Sequence, residues 1–137
     1  MPNRLVDVYE DMEQDGITIL HCKLKSNPSL CLAQGRIVGI DESQFHTEAE
    51  RCTALIHEEG HFESGAFYSP LCRYEVKDRA ETRAWRSAYR RRIPFEELRI
   101  LIRQDTPLWE IAEHFNVTQG CIWGAYLYYK EDCGLEF

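Results

Sequence analysis

Thr47-Glu-Ala-Glu50-Arg-Cys52-Thr-Ala-Leu55-Ile56-His57-Glu58-Glu59-Gly60-His61-Phe62-Glu-Ser-Gly65 spells one helix with a marked start and a marked stop. Thr47 and Glu50 have the capping-box spacing, in which the hydroxyl accepts from the Glu50 amide while the Glu50 side chain reaches back. Gly65 is placed to end the helix, which the periodicity carries through about Phe62. Cys52, Leu55 and Ile56 give it a buried side, and Gly60 lets another backbone come close. Residues four apart lie one turn apart on the same face, so His57 and His61 can offer imidazole nitrogens to one ion. Glu58 is rotated about 100° from His57 and flanks the same place. Two neutral imidazoles suit Zn2+, a third ligand leaves one position for water, and the metal brings that water's pKa to about 7, where Glu58 can take its proton.

Upstream, Leu5, Val8, Tyr9 and Met12 recur at helical spacing with Gly16 behind them. Ile17–Leu24 reads as a strand, and Leu30–Ala33 and Arg36–Ile40 flank Gln34-Gly35 as a hairpin. The expectation is a three-stranded antiparallel sheet packed on the 47–65 helix. Downstream, Tyr74–Tyr89 reads as a helix stopped by Ile93-Pro94, and Pro94 can open another that carries Phe95, Leu98, Leu101 and Ile102. The fold class is therefore α+β, one domain over residues 1–137, with a catalytic part at 1–92 and a helical carboxy-terminal part at 93–137. The third ligand is sought on the 74–89 helix among Glu75, Asp78 and Glu81. Helical phase favours Glu81, which shares a face with the small Ala84 and Ala88, whereas Glu75 and Asp78 lie where the helix dipole accounts for acids. Tyr68 is a candidate to stabilise an oxyanion at the rim. The strand Arg36–Ile40, just ahead of the helix, is the place to look for an extended substrate. His21, His46 and His114 read as ordinary histidines.

Composition narrows the function. The 137 residues are 44% hydrophobic and 28% charged, an ordinary globular balance, with a net charge of −7. That charge argues against a protein whose main work is to neutralise phosphate. The charge is segregated: residues 1–72 carry 5 basic and 12 acidic side chains, residues 73–103 carry 10 and 5, and residues 104–137 carry 1 and 6. A basic band between acidic ends reads most simply as internal complementarity together with a solvated helix face, the alternative being a binding surface for an acidic partner. Six cysteines, no two of them spaced CxxC, read as free thiols in a reducing compartment. No apolar run is long enough for a membrane span and no signal peptide is visible, so a cytoplasmic location is expected.

Pro107–Phe115 and Gln119–Tyr129 form a helical pair around Asn116-Val117-Thr118 that looks like the second and third helices of a helix-turn-helix. Its second helix presents Gly120, Cys121, Ile122, Trp123, Gly124 and Ala125, without Arg, Lys or Asn to reach base edges. A structural or docking role is expected, and direct nucleic-acid binding is not.

Taken together, Leu55-Ile-His-Glu-Glu-Gly-His-Phe62, Gly65-Ala-Phe-Tyr68, Glu81-x-x-Ala84 with Ala88, Ile93-Pro94 and Ile111-Ala-Glu-His-Phe-Asn-Val-Thr118 resemble the ImmA/IrrE-type zinc metallopeptidases carried by bacteria, phages and mobile elements. The resemblance implies zinc held by His57, His61 and Glu81, with Glu58 as general base. It also implies cleavage of a helix-turn-helix repressor that frees the genes under its control. The chain departs from the family's pattern at Glu59, Trp85 and Ser87, none of which is expected to touch a ligand. The alternative is a non-catalytic regulator that keeps zinc for stability and acts by binding a repressor.

Overall fold

A computed structural model describes residues 2–137. The chain runs α1 (Leu5–Gln14), β1 (Thr18–His21), β2 (Ser29–Leu32), β3 (Ile37–Ile40), α2 (Glu48–Ser64), α3 (Tyr74–Arg92), α4 (Phe95–Arg103), α5 (Leu108–Phe115) and α6 (Gln119–Leu127), followed by a π-helical turn at Tyr128–Asp132. Among the described residues, six α-helices and a small open sheet make it α+β. Each long element begins and ends for a local reason. At α1, Ile17 N–H donates to the Met12 carbonyl and Gly16 N–H to that of Glu13, a Schellman closure that Gly16 permits by taking φ +80°. At α2, Thr47 Oγ1 accepts from Glu50 N–H at 3.1 Å, and the Glu50 carboxylate accepts from His46 N–H at 2.8 Å, one residue earlier than a strict capping box. Gly65 closes the helix in the left-handed region.

The sheet departs from the antiparallel arrangement that the sequence suggests. Its order is β1-β3-β2, with β1 parallel to β3 in the register Thr18↔Ile37 to His21↔Ile40, and β2 antiparallel to β3 from Ser29↔Ile40 to Leu32↔Ile37. The hairpin is there, but Val38, Gly39 and Ile40 are all buried, so β3 takes the middle and β1 pairs on its far side. Residues 22–28 therefore cross the end of β3. Asp41 holds this crossing: its carboxylate accepts from Leu24 N–H at 2.9 Å and from Gln44 Nε2 at 3.0 Å, and its own N–H donates to the Pro28 carbonyl at 2.8 Å. Donors from Gln44, Leu24 and Ser43 keep this carboxyl well below the usual carboxylate range.

α2 and α3 pack backbone to backbone. A Cβ on Gly60 would overlap the Ala84 carbonyl, and Ala84 and Ala88 are buried in the seam, as their spacing predicts. One core, with Val8, Met12, Ile40, Leu55, Ile93, Leu98, Phe115 and Tyr129 among its members, runs from α1 to the carboxy-terminal turn. Buried Asn3 fastens the start of the chain to that core. Its Nδ2 donates to the Arg92 and Phe115 carbonyls at 2.9 and 2.8 Å, and its own carbonyl accepts from Asn116 Nδ2 at 2.9 Å. Asn116, at φ +55°, turns the chain between α5 and α6. Thr118 caps α6, and its N–H donates to Thr53 Oγ1 of α2 at 3.0 Å. α6 buries Cys121, Ile122 and Ala125 and exposes Trp123. All six cysteines are free. Among the described residues, no helix is long and apolar enough to cross a membrane.

Candidate metal centre

The seam between α2 and α3 brings together the three candidate ligands read from the sequence. His57 and His61 lie one turn apart on α2, with their Nε2 atoms 3.3 Å apart. Glu81 reaches across from α3, its Oε2 lying 2.7 Å from His57 Nε2 and 3.5 Å from His61 Nε2. A tetrahedral zinc with arms of about 2.0–2.1 Å sets neighbouring donors about 3.3 Å apart. Two of the three separations match, and the third is a hydrogen bond that a bound ion would replace. Glu75 and Asp78 are exposed at the start of α3 and take no part. His21 and His114 pair with Glu42 and Glu97, at 3.1 and 2.9 Å.

Each of the three side chains is held by a different device. His61 is buried, and its Nδ1 meets the Ala66 carbonyl at 2.6 Å, which fixes Nδ1–H as a donor and leaves the Nε2 lone pair facing Glu81 and His57. The Nδ1 of His57 is buried without a partner. Its ring lies instead on Trp85, with centroids 4.3 Å apart and planes inclined by 33°. The expectation that Trp85 touches no ligand is therefore overturned. Trp85 stands four residues after Glu81, on the same face of α3, and that spacing was the available signal. Ser87 is buried further along the helix.

Glu81 is kept ionised, at about 2, first by the His57 hydrogen bond and then by Tyr68, against the opposing effect of burial. Tyr68 donates its hydroxyl to Glu81 Oε1 at 2.6 Å, so it positions that carboxylate and its proton is already engaged. Burial, then the Glu81 carboxylate, push this phenol upward.

Glu58 points from α2 toward the sheet. It is 6% exposed, and its Oε1 accepts from Ser29 Oγ at 3.2 Å. On the same strand, the Cys31 Sγ, a Glu58 carboxylate oxygen and a ring nitrogen of His61 all lie within 4.8 Å of one another. Burial, and then Glu58, raise the Cys31 thiol well above its ordinary range. Sequence reasoning missed Ser29 and Cys31. Their alternation on a strand puts both on one face, but which element that face meets is decided by long-range packing.

The strand expected to receive substrate is not available. β3 is hydrogen-bonded on both sides, and the free edge beside the centre belongs to β2.

Glu59 faces elsewhere. It is 1% exposed and bound by Arg92 through Nε at 2.8 Å and Nη2 at 2.5 Å, while Arg92 Nη1 reaches Asp11 at 2.9 Å. Arg91 joins Asp15 and Glu63 at 3.1 and 3.2 Å, and Arg86 joins Asp132 at 3.1 Å. Part of the basic band thus pairs with both acidic ends. The chain matches no protein-family model, no curated protein and no solved structure, which leaves the geometry of these side chains to carry its functional assignment.

Proposed function

We propose that the chain is a zinc-dependent peptidase with Glu58 as its general base. The observation that carries this is the convergence of His57, His61 and Glu81 at near-tetrahedral spacing, with a buried carboxylate beside them that has no cationic partner among the described residues. When bound, the ion supplies a Lewis acid that acidifies water and polarises a carbonyl. The chain's own groups do the rest. Ala66 fixes the His61 tautomer, Trp85 seats the His57 ring, and Tyr68 orients Glu81. Glu58 takes a proton from the attacking water and hands it to the leaving amine. The unpaired edge of β2 lets an extended peptide add as a strand next to Glu58.

The resemblance to ImmA/IrrE-type peptidases supplies the substrate class, a helix-turn-helix repressor in the cytoplasm. The acidic carboxy-terminal part, which leaves Trp109 and Trp123 exposed, suits a protein partner better than a nucleic acid.

Metal analysis and cleavage assays test this together. Purified protein should hold about one zinc per chain, His57→Ala or His61→Ala should remove most of it, and Glu81→Ala should weaken it. Glu58→Gln should keep the zinc and lose about 10² to 10⁴ in cleavage rate on a repressor encoded nearby. A wild type that leaves such repressors intact, together with a Glu58→Gln variant that still relieves repression, would make the protein a non-catalytic, zinc-holding regulator instead.

A further inference from the structure

The strand bordering the centre carries a donor that the proposed peptidase chemistry does not use. Ser29 and Cys31 share the face of β2 turned toward α2, and the Ser29 hydroxyl is already on Glu58. Cys31 is not an isolated thiol. Its sulfur forms a set with Glu58 and His61, within 4.8 Å, and His61 belongs equally to the set with His57 and Glu81. The two sets of potential ligands found among the described residues therefore meet at one imidazole. Three protein ligands leave zinc a single tetrahedral position; Cys31 is grouped with His61 and Glu58 but not with His57 and Glu81, so the sulfur would have to swing toward the ion to take it.

We propose that Cys31 is the fourth ligand of the resting centre, giving a Cys-His-His-Glu site that is closed until the sulfur leaves. This rests on the metal-centre assignment above. The exchange balances simply: the S–H bond is lost as the metal–sulfur bond forms, and the proton leaves to solvent. Release is coupled to substrate, because the strand that carries the sulfur is the one whose free edge a peptide would join. The centre would open on β-strand addition or on capping of the thiol.

Cobalt(II) loaded into the metal-free full chain tests the ligand without any assay of activity. Wild type should show a near-ultraviolet thiolate-to-cobalt charge-transfer band at about one cobalt per chain. Cys31→Ser should lose the band while retaining the cobalt, and Cys133→Ser, on the exposed carboxy-terminal segment, should keep both. Cys31→Ala is the second variant, with circular dichroism to confirm that it is folded. A band that survives in both Cys31 variants, or cobalt bound without any band, overturns the fourth ligand and leaves the His57-His61-Glu81 centre standing. Cobalt bound no better by wild type than by His57→Ala overturns the centre itself, and Cys31 with it.

Discussion

The two sides of α2 treat a buried carboxylate in opposite ways. Toward the sheet, Glu58 has a hydroxyl and a thiol for neighbours, while one residue later Glu59 looks onto Arg92, with Asp11 and Arg91 around it. Both are almost completely enclosed. The difference is the partner. A bidentate guanidinium engages both carboxylate oxygens and balances their charge, which makes the group structural, whereas a single hydroxyl leaves one oxygen without a strong partner and free to take a proton. Adjacent identical residues thus divide into a strut and a candidate base, and burial alone does not tell them apart.

The contrast can be broken from the structural side first. Arg92→Ala strands Glu59 in the core and should cost about 3–5 kcal/mol in urea unfolding, and pairing Glu59→Leu with Arg92→Met should recover most of it. If instead Arg92→Ala melts like wild type, the Glu59 side is not the strut described here. Gly60→Ala comes next: its methyl meets backbone, so overpacking should cost about 1–3 kcal/mol. It should also weaken zinc in competition with a chelator, since α3 must move away with Glu81. Thr47→Ala weakens the helix without touching either face and should cost about 1 kcal/mol, with metal content per folded chain unchanged. The smallest effect is expected from Glu58→Gln, which keeps its acceptor for Ser29 and should alter the unfolding free energy by no more than about 1 kcal/mol. A large stability loss there would erase the distinction between the two carboxylates.

Much of this was legible locally. Thr47, Glu50 and Gly65 announce α2, the i, i+4 spacing puts His57 with His61, and the small residues Ala84 and Ala88 mark the face of α3 that brings Glu81 across. What escaped depends on contacts distant in sequence. The parallel pairing of β1 with β3 is set by which strand is buried on both faces, and the antiparallel expectation followed sequence adjacency alone. That same pairing moves the free edge from β3 to β2 and so places Ser29 and Cys31 at the centre. Glu59 carries no local mark of its burial; its partner lies 33 residues away, in a run of arginines that the helix dipole already explains. Asn3 is similar, because its role exists only once α3 and α5 end beside it.

The contact between Gly60 and Ala84 also acts as a gauge. Gly60 neighbours His61, and Ala84 lies one turn from Glu81, so the distance between two backbones sets the aperture across which an ion would be held. Main chain against main chain leaves no rotamer with which to adjust that aperture. Discrimination among ions of different radius would then be fixed by a stop that no ion touches, and a single methyl at position 60 would reset it while every ligand stayed the same.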